Sequence, residues 1–299
     1  MILKHLIEYW FFLLLGFGVR LLPLRVVQRL GASAGELLYT LFGFRKAVAV
    51  DNLRRALPDL SEREIDQIAC SSFRSVGTAL FEFLWFPRFR PETIKEVARI
   101  ENPELVKELH GRGKGIILLT AHFGNWELLA QSMHVELGLP LSIIVKPQSN
   151  PFVDRQINRW RTLWGNKVVP MGVAIREILR TLHEGGVVGI VADQSAPKES
   201  SAVQFFGRDV PTYEGPAVFS LKTGAPIMIG FAIRQPDGTY RSRFEEVPTR
   251  DLNGYSEANV LELTRRHVAI TEKYIRAHPH LWMWMHKRWK HVQDSPTRA

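Results

Sequence analysis

A histidine that takes a proton from a hydroxyl needs a carboxylate to orient it, and the stretch Thr120-Ala121-His122-Phe123-Gly124-Asn125-Trp126-Glu127 holds both residue types. An imidazole with an ordinary pKa of ~6.5 is half protonated close to neutral pH, so a neighbouring carboxylate can orient it and raise its basicity. A five-residue offset turns about 500° on a helix, so His122 and Glu127 do not share a helical face. They converge only if His122 sits in a loop and Glu127 in the first turn of the helix behind it. Asp193 competes for the same role, because it ends the apolar run VVGIVAD and belongs at the carboxyl edge of a sheet near His122. Which carboxylate meets the imidazole stays open. Asp193 and Gln194 also fit a plain strand end.

The elements that would position these groups form an alternating series from Gly115 onward. It runs GIILLT, a helix near 127–137, LSIIV, a helix near 152–164, KVVPM, a helix near 173–184, and VVGIVAD. Short β-rich runs alternating with amphipathic segments predict an α/β fold with a largely parallel sheet. Ligands gather in such sheets where strands end and helices begin, and the end of GIILLT is the first such place. A helix near 214–222, the strand PIMIGFAIR and a partner at 240–246 follow, with Pro236-Asp237-Gly238 as the turn, so the sheet is expected to end in an antiparallel hairpin. A last helix covers about 256–276. The tail HLWMWMHKRWK then puts Trp282, Trp284 and Trp289 among Lys287, Arg288 and Lys290, which suits a membrane interface and suits equally tryptophans packed in a core with a basic rim.

Before residue 98 the pattern differs. Tyr9 to Val19 reads YWFFLLLGFGV without a charge, but Lys4, Glu8 and Arg20 interrupt the length of about 20 apolar residues that a full span needs, so a tilted span and an interfacial helix both fit. A buried core helix and a signal peptide cleaved near Gly31-Ala32-Ser33-Ala34 are the competing readings. Arg20, Arg25, Arg29, Arg45 and Lys46 follow the segment and place the rest of the chain in the cytoplasm by the positive-inside tendency. Residues 47–84 read as two helices, the first stopped at Pro58 and the second capped by Ser61 with Glu64. Pro87 and Pro91 bracket FPRFRP and mark a boundary, which divides the chain into an anchor (1–25), a helical unit (26–97) and an α/β domain (98–299). Gly31-Ala32-Ser33-Ala34-Gly35 matches the G-x-S-x-G of serine hydrolases, yet it follows helical RVVQRL rather than a strand, and small residues there more simply let helices pack closely.

The totals exclude several classes. Of 299 residues 45% are hydrophobic and 23% charged, which leaves no room for a polytopic membrane protein. A net charge of +9 draws the chain to anionic lipids, acidic proteins or nucleic acid, but no helix-turn-helix, zinc-finger or aromatic RNA-binding signature accompanies it, so nucleic acid is not expected. The lone Cys70 rules out an internal disulfide, and without H-E-x-x-H or clustered ligands a metal is not expected.

His-x-x-x-x-Glu after a hydrophobic strand resembles the H-x-x-x-x-D/E motif of the glycerolipid acyltransferase superfamily. The ordered blocks TAHFGNWELL, VKPQSNPFVDRQINRWR-x-x-x-G, VADQ, FFGRDVPTYEGPAVFSLKTGAPIM and HLWMWMHKRWK resemble, over nearly the whole chain, the late lipid A biosynthesis (lauroyl/myristoyl) acyltransferases of Gram-negative bacteria. The resemblance implies a glycerol-3-phosphate-acyltransferase-like layered αβα domain behind an N-terminal anchor. It implies transfer of a fatty acyl chain from acyl carrier protein or acyl-CoA to a hydroxyl of a lipid A precursor at the cytoplasmic face of the inner membrane. No cofactor is implied beyond the thioester co-substrate, and no covalent acyl-enzyme. His122 is then the general base and Glu127 holds its ring. Arg161, matched together with Gly165, serves the oxyanion or an anionic part of the acceptor, with Lys146 second, although Arg155, Arg159 and Arg161 also read as a solvated helix face. In related acyltransferases the position of Asp193 can serve as the charge partner of the histidine. Asn125, Lys146, Gln194, Phe206, Gly207, Thr212 and Gly215 are assigned to substrate binding, Gly215 because a glycine at a helix start lets an anionic group approach the backbone. An acyl-CoA-dependent acyltransferase for a mannosyl-inositol or amino-acid lipid, a lipid hydrolase, and a non-enzymatic binder of anionic membranes are the alternatives.

Overall fold

In the computed structural model, which describes residues 2–292, four helices come first: α1 (Ile2–Arg20), α2 (Leu24–Thr40), α3 (Lys46–Ala56) and α4 (Glu62–Trp85). The start of α4 is the one the sequence marks, with the Ser61 and Glu64 side chains reciprocally satisfying backbone N–H groups. A short helix α5 (Pro91–Val97) leads into β1 (Ala98–Ile100), α6 (Pro103–Gly111), β2 (Ile116–Thr120), α7 (Trp126–Leu137), β3 (Leu141–Val145), α8 (Pro151–Arg161), β4 (Lys167–Pro170), α9 (Ala174–His183) and β5 (Val187–Val191). After β6 (Ala202–Phe205) and β7 (Arg208–Pro211) come α10 (Gly215–Thr223), β8 (Ile227–Arg234), β9 (Tyr240–Glu246) and α11 (Glu257–Ala277).

Seven strands form one sheet in the order β1-β9-β8-β2-β5-β3-β4, parallel except for the β8–β9 hairpin. The sheet does not end at that hairpin as expected: β1 pairs in parallel with β9 outside it. Three residues are too few to show a strand period. β2 lies centrally and is apolar on both faces, with Ile117 and Leu119 in one core and Ile116 and Leu118 in the other. Such a strand must be covered on both sides. The N-terminal helices share in this, since Tyr39, Leu53 and Phe73 join the first core and Val19, Val27 and Phe83 the second.

The G-x-S-x-G run lies inside α2 and faces α4. A Cβ at Gly35 would strike the Phe73 carbonyl, and one at Gly77 the Gly31 carbonyl, so these glycines set how closely the two helices approach. Ser33 is exposed. Gly35→Ala is expected to cost about 1–3 kcal/mol in denaturant unfolding, whereas Ser33→Ala should leave activity at the wild-type level; inactivation by the serine change would restore the nucleophile reading.

Candidate active site

His122 sits two residues past β2, and Asp193 two residues past β5. These strands are neighbours whose register pairs Thr120 with Val191, so His122 and Asp193 emerge from the sheet side by side. The Nδ1 of His122 lies 2.8 Å from Asp193 Oδ1, and the backbone N–H of His122 donates to Oδ2 at 2.9 Å. Trp282 Nε1 donates to the same Oδ2 at 2.7 Å. With Asp193 ionised, Nδ1 carries the proton and Nε2 becomes the basic atom. Gln194 Nε2 stands 3.4 Å from it, and the Trp126 ring packs edge-on against the imidazole.

The electrostatics follow from this contact. Burial opposes protonation of His122, but the adjacent Asp193 carboxylate outweighs it and holds the His122 pKa above the ordinary histidine value. Burial alone would raise the pKa of Asp193, yet the imidazolium and the three hydrogen bonds keep it below the usual aspartate value.

Glu127 is not what holds the ring. It does lie in the first turn of α7 with His122 in the preceding loop, but its carboxylate is taken by Arg161, which donates from Nε to Oε2 at 3.0 Å and also from Nη2. Both side chains are largely buried, so the guanidinium at the end of α8 finds its countercharge in Glu127 and does not form a solvated helix face. The pair acts on His122 only through space, Glu127 favouring the imidazolium and Arg161 opposing it. Glu127→Gln should therefore destabilise the fold by up to about 3 kcal/mol by leaving Arg161 unpaired, while moving the acidic limb of the pH–rate profile less than Asp193→Asn does. Thermal unfolding and pH–rate profiles of both variants check this.

The loop is clamped from several sides. Gly124 takes φ +55° against the Ala232 carbonyl, where no Cβ fits, and its N–H donates to Leu281 O at 2.9 Å. Met283 N–H donates to His122 O at 3.0 Å. Asn125, assigned to substrate binding, is instead fully buried. Its Oδ1 accepts from Leu128 N at 2.8 Å and so caps α7, and its Nδ2 donates to Glu82 Oε2 at 2.7 Å. The buried Glu82 also accepts from Gln28 and Tyr240, which ties α2, α4 and β9 to the loop. Burial raises the Glu82 pKa against the pull of these donors. Asn125→Ala should cost about 2 kcal/mol or more in stability without raising KM; a raised KM would return Asn125 to the substrate.

Other assigned residues also serve the fold. Phe206 and Gly207, both at positive φ, form the two-residue turn of the β6–β7 hairpin, and Phe206 packs on Trp284 and Trp289. Buried Thr212 accepts from Arg288 Nη2 at 3.0 Å, while Arg288 Nη1 donates to Pro211 O at 2.8 Å. Lys146 is exposed beyond β3, and Gly215 begins α10 with room for a Cβ. Of the two readings of the tail the core reading holds: Trp282, Trp284, Trp289 and Arg288 are all buried, and burial lowers the Arg288 pKa to about 10. Sequence reasoning missed the role of Trp282 and missed His286, whose Nε2 accepts from Ser195 N at 3.3 Å, two residues past Asp193. Burial lowers the His286 pKa, which keeps that ring neutral. The one signal for both was their place in an ordered block of the resemblance.

An imidazole backed by a buried carboxylate at the carboxyl edge of a largely parallel sheet defines an α/β enzyme site equipped to take a proton from a hydroxyl. The sequence profile of the bacterial lipid A biosynthesis acyltransferases matches residues 2–291, and the chain belongs to this family of O-acyltransferases. The chain is 28% identical to a lipid A biosynthesis lauroyltransferase of Escherichia coli K12 over 97% of its length and 95% of the relative's. It is 27% identical to a palmitoleoyltransferase of lipid A biosynthesis from the same strain, over 90% and 86%. A phosphatidylinositol mannoside acyltransferase of Mycobacterium tuberculosis is 24% identical over 83% and 78%.

Proposed function

We propose that the protein transfers a fatty acyl chain from an acyl thioester directly to a hydroxyl of a lipid A precursor or related glycolipid, on the cytoplasmic face of the bacterial inner membrane, with His122 as general base. The observation that carries this is the His122 Nδ1 contact with Asp193 at 2.8 Å, which leaves Nε2 as the proton acceptor. The acceptor hydroxyl gives its proton to Nε2 as its oxygen attacks the thioester carbonyl. The tetrahedral intermediate collapses with loss of the thiolate, which takes the proton from the imidazolium. Asp193 stabilises the charged ring between the two transfers. Because Arg161 is committed to Glu127, the amide of Gln194, 3.4 Å from His122 Nε2, is the donor that replaces it beside the reacting oxygen. Both donor carriers, acyl carrier protein and CoA, are anionic and suit a chain of net charge +9.

Detergent-solubilised protein given a lipid A precursor, a phosphatidylinositol mannoside, and a panel of acyl-carrier-protein and CoA thioesters should yield lipid A precursor heavier by one acyl group. The best thioester identifies the donor. Acylation of the mannoside alone would move the acceptor to the other lipid class, and release of fatty acid alone would make the protein a hydrolase.

A further inference from the structure

The exposed apolar surface is larger than one helix. α1 is the one helix among the described residues long and apolar enough to cross a membrane. It does not project from the body: Asn150 donates to His5 O at 2.9 Å, Tyr9 meets Phe152, and Phe12 stacks on Trp160 at 5.2 Å, so α1 lies along α8. Its other side exposes Leu3, Ile7, Trp10, Leu14 and Phe17 at helical spacing. α2 exposes Leu30, Leu37 and Leu38, and in the turn between α2 and α3 Leu41 is 73% exposed, Phe42 69% and Phe44 55%. Burying such side chains in lipid is favourable by the same hydrophobic effect that would otherwise have buried them in the core.

The turn is hydrogen-bonded to the end of α2 and joined to the edge where His122 lies. Phe42 N and Phe44 N donate to Leu37 O and Leu38 O, and Gly43 and Arg45 take positive φ. Arg45 Nη1 donates to Met285 O at 3.3 Å, and Asn52 Nδ2, on α3, donates to both Trp284 O and His286 O at 2.7 Å. The backbone that carries Trp282 and His286 to the site is therefore braced by the helix that follows the turn. Asn150, which receives the start of α1, stands past the carboxyl end of β3, so the N-terminal half of α1 and the turn both flank the edge where His122 lies.

We propose that the Leu41–Phe44 turn is a second membrane-insertion element, entering the same leaflet as α1 and seating the mouth of the active site on an anionic lipid surface. Two features favour lipid over a second copy of the chain. The same chain carries α1, a helix apolar enough for a bilayer, and Arg45 and Lys46 follow the apolar tip of the turn directly, as cations do at a headgroup boundary. The proposal rests on the preceding reading only in taking the acceptor to be a membrane lipid.

The test uses the full chain with Cys70→Ser and a single cysteine replacing Phe42, Trp10 or Lys107, each labelled with an environment-sensitive fluorophore. The vesicles are phosphatidylethanolamine and phosphatidylglycerol with nitroxide-labelled acyl chains. Labels at 42 and 10 should shift to the blue and be quenched, and the label at 107, on α6, should do neither. A label at 42 that stays in water while the label at 10 is quenched overturns the proposal, as does a shift at 42 without vesicles that tracks dimer formation. This reading needs no turnover, so its failure is distinct from failure of acyl transfer. The double change Phe42→Asp with Phe44→Asp should lower transfer to vesicle-borne acceptor by at least about tenfold and leave transfer to detergent-dispersed acceptor unchanged. Equal loss in both settings would contradict the proposal.

Discussion

Replacing His122 with alanine should lower kcat for acyl transfer by about 10³-fold or more while the protein still folds. Among the described residues the ring hydrogen-bonds only to Asp193 and Gln194, and the contacts that hold the loop are made by the backbone: His122 N to Asp193, Met283 N to His122 O, and Gly124 N to Leu281 O. Those survive the substitution. Asp193 keeps the Trp282 and His122 amide donors, so its charge is not left bare. Initial rates with saturating thioester and acceptor, beside a thermal melt of each protein, measure the two effects separately. Residual activity within tenfold of wild type would remove His122 from the chemistry.

Asp193→Asn should come close to the same loss, about 10³-fold, by a different route. An asparagine amide can present N–H to Nδ1, which favours the wrong tautomer and puts the proton on Nε2, where the base must be free. Its single carbonyl oxygen also cannot satisfy the three donors that the two carboxylate oxygens now accept. The pH dependence gives a second readout. In the wild type the Asp193 charge raises the His122 pKa despite burial, and the base works only when neutral, so the rate falls as pH drops through a value above that of free histidine. Without the charge, burial pushes that pKa down, and whatever activity is left persists to lower pH. An unmoved acidic limb would mean that another carboxylate sets it.

How much of this was legible depended on whether the signal was local. Period and turn residues along GIILLT, LSIIV and VVGIVAD are local, and so are the capping box at Ser61 and the hairpin around Asp237, and each formed where the pattern placed it. Strands of three or four residues, such as β1, β6 and β7, are too short to carry a period. The partner of His122 is settled by which strand lies beside β2, and no local pattern reports strand order. Glu127, nearer in sequence, lost the role because α8 brings Arg161 to it. Composition could not separate a tryptophan tail on a membrane from one in a core either. Trp282 and Trp284 are the largest fully buried side chains among the described residues, and Trp282 reaches the Asp193 carboxylate. The five ordered blocks pointed to the family that the profile over residues 2–291 shows, but the blocks held structural residues, Asn125 and Thr212 among them, beside those at the site.

The most direct test of direct transfer assisted by His122 is a turnover reaction with a lipid A precursor and an acyl thioester, in which the lipid product and the intact protein are both weighed by mass spectrometry. The account predicts lipid heavier by one acyl group, protein of unchanged mass throughout, and neither product nor fatty acid above background with His122→Ala. Acyl groups retained on the protein, or fatty acid released without acylated lipid, would contradict it.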